Sequence, residues 1–141
     1  MAEAIPKATR EFVTRRAEGI CEYCRCPQSH CPDSFSIDHT IPQSRGGGHD
    51  AANLALSCQG CNNRKHACVE AIDPATGEIA RLFNPRIDDW LEHFAWSDDF
   101  LLILGVTPIG RTTVERLALN RTGVKNLRRL LQSDAFKGET T

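Results

Sequence analysis

Cys21-Glu22-Tyr23-Cys24 and Cys58-Gln59-Gly60-Cys61 bracket the stretch Ser36-Ile37-Asp38-His39-Thr40-Ile41-Pro42, and asparagines follow at positions 53 and 62. Two cysteine pairs, each with two intervening residues, can close four thiolates around a tetrahedral Zn²⁺ with no open position, so that metal would be structural. The segment between the pairs carries different chemistry. An adjacent Asp and His, with amides downstream, offer one hard oxygen ligand and one imidazole base, the parts needed to hydrolyse a phosphodiester with a second, hard cation.

Residues 21 to 66 resemble an HNH endonuclease of the ββα-metal kind, in its four-cysteine zinc-stapled form. The resemblance is carried by Ile37-Asp38-His39-Thr40-Ile41-Pro42-Gln43-Ser44-Arg45-Gly46-Gly47, by Asn53-Leu54, and by Cys58-Gln59-Gly60-Cys61-Asn62-Asn63-Arg64-Lys65. Between 79 and 131, the runs Leu82-Phe83-Asn84-Pro85-Arg86, Trp90-Leu91-Glu92-His93-Phe94 and Thr107-Pro108-Ile109-Gly110-Arg111 are similar to the C-terminal extension of small bacterial members. The resemblance implies an α+β fold: a ββα-metal unit stapled by a four-cysteine zinc site, with an N-terminal helix and a C-terminal strand and helix extension.

It also implies roles. His39 is the base that takes a proton from water, and an imidazole of ordinary pKa, ~6.5, is largely neutral at cellular pH. Asp38 is the carboxylate ligand of the catalytic cation. In a regular strand it points to the face opposite His39, so the pair works only if the chain bends or the metal sits at the strand end; the family uses a distorted strand. Asn62 stands where other members carry the final His of the letters H-N-H, and its amide oxygen suits Mg²⁺ or Mn²⁺. On a helix, His66 lies one turn beyond Asn62 on the same face and can reach the same cation. Asn53 is the middle letter, holding the Asp38-His39 backbone by side-chain hydrogen bonds across the loop. Arg45, Arg64 and Lys65 would meet phosphate oxygens.

At 141 residues the chain reads as one domain, with knuckles and core over 8–71 and the extension over 78–132. No apolar run approaches the ~20 residues of a membrane span, and Met1 to Lys7 lacks the basic-then-apolar shape of a secretory signal, so a cytoplasmic location without membrane contact is expected. Seven cysteines without such a signal favour metal over a disulfide framework. Cys26 and Cys31 lie near enough to the first pair to compete with Cys24 for zinc, although the two-residue spacing favours Cys24. Cys68 reads as a small buried residue, and His30, His49 and His93 carry no spacing signal, reading as structural or solvent-exposed.

A balance of 17 Lys and Arg against 18 Asp and Glu, net −1, argues against a polyanionic partner. The distribution restores DNA as the expected partner. Arg111, Arg116, Arg121, Lys125, Arg128 and Arg129 are opposed between 111 and 131 by Glu115 alone, and a local field is what acts at a cleft. Arg128 and Arg129 are accordingly expected on the DNA side, unless this face is solvated and pairs with the acidic 70–99 segment.

Periodicity and punctuation predict helices over 8–19, 61–71, 111–120 and 122–132, and strands over 37–41, 53–57, 78–83 and 100–106, with 90–96 a weaker strand. Residues 42–50 read as a mobile glycine-rich loop and Phe136 to Thr141 as a frayed tail. The function these readings favour is a metal-dependent DNA endonuclease, acting as a monomer or weak homodimer with one catalytic cation. A zinc-stapled DNA-binding or scaffold protein without catalysis is the alternative. A thiol redox protein would require a βαβ pattern that is not present.

Overall fold

The computed structural model describes residues 4–133; the tail from Phe136 to Thr141 lies outside them. Helix α1 (Lys7–Arg16) turns its one buried residue, Val13, onto strand β2 (Leu54–Ser57), where Ile5, Leu54 and Leu56 complete a small core. Arg16 fixes the helix end by donating to the carbonyls of Ala51 at 3.0 Å and Leu54 at 2.6 Å. All four residues of β2 are buried, which is why this strand reads as an apolar run rather than an alternation.

Strand β1 (Ser36–His39) pairs antiparallel with β2, with Asp38 opposite Ala55 and His39 opposite Leu54. Helix α2 (Gln59–Lys65) follows β2 directly, completing a strand, loop, strand, helix unit. Two more antiparallel pairs lie beyond it: β3 (Glu70–Ile72) with β4 (Ile79–Arg81), and β5 (Phe94–Trp96) with β6 (Ile103–Gly105). Helix α3 (Trp90–His93) leads into β5, and α4 (Pro108–Leu117) and α5 (Thr122–Leu131) close the described chain. No helix among the described residues is long and apolar enough to cross a membrane.

The element boundaries correct the sequence reading at four points. The helix expected over 61–71 ends at Lys65, because His66 takes φ 49°, and Glu70–Ile72 instead forms a strand. The turn Asp73-Pro74-Ala75-Thr76-Gly77 makes that strand possible: the Asp73 carboxylate accepts from Ala75 N and Thr76 Oγ1, and Gly77 sits at φ 75°. The expected strand over 90–96 divides into α3 and β5. The one over 100–106 shrinks to Ile103–Gly105, since Phe100 adopts φ 59° in the preceding turn. Helix α4 starts earlier than expected because Thr107 caps it, accepting from Gly110 N at 3.0 Å, with Pro108 in the first turn.

Both cysteine pairs lie inside the main core, among Leu82, Phe83, Trp90, Phe94, Ile103, Leu117, Leu119 and Val124. The extension is bonded to the first knuckle as well as packed on it. Trp90 Nε1 donates to Tyr23 O at 3.2 Å, and Arg128 Nη2 donates to Cys24 O at 3.4 Å.

Candidate active site

Cys21, Cys24, Cys58 and Cys61 are all buried, and their sulfurs lie within 4.8 Å of one another. Each pair shapes a knuckle in which a backbone N–H faces sulfur: Cys24 N to Cys21 Sγ at 3.5 Å and Cys61 N to Cys58 Sγ at 3.4 Å. Arg121 brings its guanidinium to the same sulfurs, with Nη2 at 3.3 Å from Cys58 and Nη1 at 3.6 Å from Cys61. Gly60 makes room for it, since a Cβ there would lie 2.5 Å from Arg121 Nη2. Burial pushes the Cys21 thiol above its ordinary range, so holding it there as a thiolate would need a bound cation. Four soft donors in a closed, desolvated tetrad fit a structural metal such as zinc.

The residues between the pairs surround a second place. Asp38, His39, Asn62 and His66 line one cavity of about 350 Å³, with Pro42 and Gln43 on its rim. Asp38 is only 4% exposed. Its Oδ2 accepts from the Tyr23 hydroxyl at 2.5 Å, and Lys65 Nζ lies 3.2 Å from Oδ2 and 3.3 Å from Oδ1. Burial raises the Asp38 carboxyl above its ordinary value, while the Lys65 ammonium and the Tyr23 hydroxyl pull it back. Each carboxylate oxygen has two lone pairs, so Oδ1 keeps one available for a cation.

His39, the last residue of β1, turns to a neighbour that sequence spacing gives no reason to single out. Its Nε2 lies 2.9 Å from His49 Nδ1, and His49 Nε2 lies 3.4 Å from the Gln43 amide. Burial, then the adjacent His49, lowers the pKa of His39 below the usual imidazole value; Asp38 opposes the shift and Lys65 adds to it.

Asn53 ties the loop between the strands. Its Oδ1 accepts from Thr40 Oγ1 and Ile41 N, both at 2.8 Å, and its Nδ2 donates to the carbonyls of Ile41 and Gly48, both at 3.0 Å. The glycine-rich loop read as mobile is thus pinned at its base. Gly47 is packed so tightly that a Cβ would stand 1.7 Å from Ile41 O, leaving room for hydrogen alone.

Asn62 sits on α2, half-exposed to the cavity. His66 lies one residue past the helix, its N–H still bonded to Asn62 O at 2.9 Å. Its φ of 49° with ψ of −128° is a conformation that glycine adopts readily and a side chain does not.

The basic residues divide. Arg45 and Arg64 are exposed, as is Arg129, which bonds Asn126 Oδ1 at 2.9 Å. Lys65 and Arg128 correct the sequence expectation. Lys65 is 2% exposed, paired with Asp38 and donating to His39 O at 3.3 Å, so it braces β1 from inside instead of meeting phosphate. Arg128 is 7% exposed and donates to the carbonyls of Leu101, Leu119 and Cys24 and to Asn120 Oδ1. Arg111 pairs with Asp73 at 2.8 Å, as the solvated-face alternative anticipated for this acidic segment. Tyr23, His49 and the buried role of Lys65 escape sequence reasoning; the one available signal was the aromatic inside the first knuckle.

Residues 21–67 match the family model for HNH endonuclease. No protein in a search of curated sequences matches the chain. The β1–β2 pair, α2 and the cysteine tetrad all fall within the matched span, and the mixed α/β unit with its four-cysteine cluster is consistent with the HNH fold, a domain that suggests a nuclease or nucleic-acid-binding function.

Proposed function

We propose that the protein is a metal-dependent DNA endonuclease in which His39 is the general base and one divalent cation, Mg²⁺ or Mn²⁺, is held by Asp38, Asn62 and His66. The observation that carries the reading is the single cavity lined by these four residues inside the HNH-matched span. With His39 Nε2 committed to His49, Nδ1 is the nitrogen left to take a proton from water. The productive tautomer has Nε2–H donating to His49 Nδ1, with the Gln43 amide turned so that its oxygen faces His49 Nε2–H, and His49 then orients the His39 ring. Asn53 fixes the backbone beyond His39 through Thr40 and Ile41, keeping the imidazole aimed without touching substrate. A bound cation would neutralise charge developing on the phosphoryl and leaving oxygens.

The exposed Arg45, Arg64 and Arg129 are the proposed phosphate contacts. The knuckle unit and the extension, which share a core, are taken as one folding domain. A monomer or weak homodimer without membrane contact, acting in the cytoplasm, fits this reading.

One observation favours the alternative, a metal-stapled DNA-binding module without catalysis: a cation at Asp38 must share the carboxylate with Lys65 and Tyr23. Incubation of the protein with supercoiled plasmid in Mg²⁺, Mn²⁺, Ca²⁺ or EDTA separates the two. Open-circle or linear product in Mg²⁺ or Mn²⁺, absent in EDTA and strongly reduced for His39→Ala, is expected. Retarded but intact plasmid under every condition would leave the binding module.

A further inference from the structure

Five sulfurs, not four, converge on the staple. Cys26 is 6% exposed, and its Sγ lies 3.2 Å from Cys24 Sγ, closer than the 3.6 Å between Cys24 and Cys58. The backbone holds it there. Cys21 N donates to Cys26 O at 2.9 Å, an antiparallel bridge joins Ile20 to Pro27, and Arg25 between the thiols takes φ 67°, folding Cys26 back over the knuckle. A cavity of about 400 Å³ reaches this side of the cluster, lined by Cys26, Cys31, Cys58 and Arg121.

We propose that Cys26 is an exchangeable ligand of the metal staple, able to take the position of Cys24, so that the centre has two four-sulfur ligand sets. The proposal rests on the cysteine tetrad being a metal site. A tetrahedral ion takes four thiolates, and a fifth sulfur held 3.2 Å from the Cys24 sulfur is placed to take over that one position. The exchange balances: the Cys26 thiol gives up its proton as its bond to metal forms, the Cys24 sulfur accepts a proton as its bond breaks, and no electron is transferred. The cavity gives solvent and small thiols or chelators a path to the sulfur that is uncoordinated. The staple would thus survive chemical loss of Cys24 but not of Cys21, Cys58 or Cys61.

The test uses the full chain loaded with Co²⁺, whose d–d and thiolate-to-cobalt charge-transfer bands count the coordinating sulfurs. Wild type should give a four-sulfur spectrum; no cobalt binding at all would refute the staple itself. Cys24→Ala and Cys26→Ala should each keep the four-sulfur spectrum, with affinity in chelator competition reduced by no more than the ~10- to 100-fold of an outer-shell change. Cys58→Ala and the double variant Cys24→Ala/Cys26→Ala should lose it. A three-sulfur spectrum or loss of binding in Cys24→Ala alone overturns the proposal. So does a four-sulfur spectrum that persists in the double variant, which would pass the role to Cys31.

Discussion

His49 holds one ring nitrogen of His39, and in the proposed mechanism the other is the base. His39→Ala should reduce plasmid cleavage by about 10²- to 10⁴-fold, the usual contribution of a general base, while DNA affinity measured in Ca²⁺ stays near wild type. Because burial and His49 hold the His39 pKa below the ordinary imidazole value, the base stays unprotonated to lower pH than a free histidine. The acid limb of kcat/KM should therefore fall below pH ~6.5. His49→Ala removes one of the lowering influences, so the limb should move upward. A limb that does not move in that variant removes His49 from the catalytic account. His66 invites a second experiment at this scale. A side chain held at φ 49°, ψ −128° costs on the order of 1–3 kcal/mol. His66→Gly should raise the melting temperature; if His66 is a ligand, it should also raise the Mg²⁺ or Mn²⁺ concentration needed for half-maximal cleavage. Stabilisation with an unchanged metal titration would make His66 a bystander.

Secondary elements here take orders from single residues, which is where sequence reading succeeds and fails. The knuckles, the Asp38-His39 strand and the helix bearing Asn62 were legible because their spacing is local and their chemistry is tied to residue type. The end of α2 was not, since nothing in the run Asn62 to Val69 announces that His66 takes a left-handed conformation and frees Glu70–Ile72 to pair with β4. His49 was illegible for another reason: it joins His39 only after the loop has been folded by Asn53 and Gly47. Lys65 and Arg128 were read as surface charges because composition says nothing about buried partners. For Arg128 the consequence is measurable. Arg128→Ala strands several carbonyls that it now satisfies, and each buried group left unpaired costs ~1–3 kcal/mol, so a clear drop in melting temperature is expected. The salt dependence of DNA binding should stay unchanged, whereas Arg129→Ala, if Arg129 meets a phosphate, should reduce the slope of log K against log salt by ~0.9.

Across the whole molecule, the pair between Asp73 in the β3–β4 turn and Arg111 on α4 locks the extension to the chain leaving the HNH unit. The Arg111 guanidinium, aided by the Ala75 N–H and Thr76, draws the Asp73 carboxyl down to about 2. An ordinary Asp titrates at ~3.9, so the pair's stabilisation is complete above that value and is lost as pH falls through about 2. Thermal melts of wild type and Arg111→Met should differ at neutral pH and converge on acidification through that window; a constant gap would mean that the pair is not the acid-sensitive lock. Structural zinc contributes ~10–16 kcal/mol of apparent binding energy to small modules, and both knuckles lie in the main core. Strong chelation should therefore unfold the knuckle unit together with the packing around Trp90, read as a shift in tryptophan emission.

Tyr23 stands between two staple cysteines, and its hydroxyl touches the carboxylate proposed to hold the catalytic cation. Any coupling free energy carried by that contact is reciprocal: if occupancy of the staple strengthens cation binding at Asp38, a cation at Asp38 strengthens the staple by the same factor. Mg²⁺ should then slow the chelator-driven loss of a metal it never touches, and Tyr23→Phe should uncouple the two sites while leaving each able to fill.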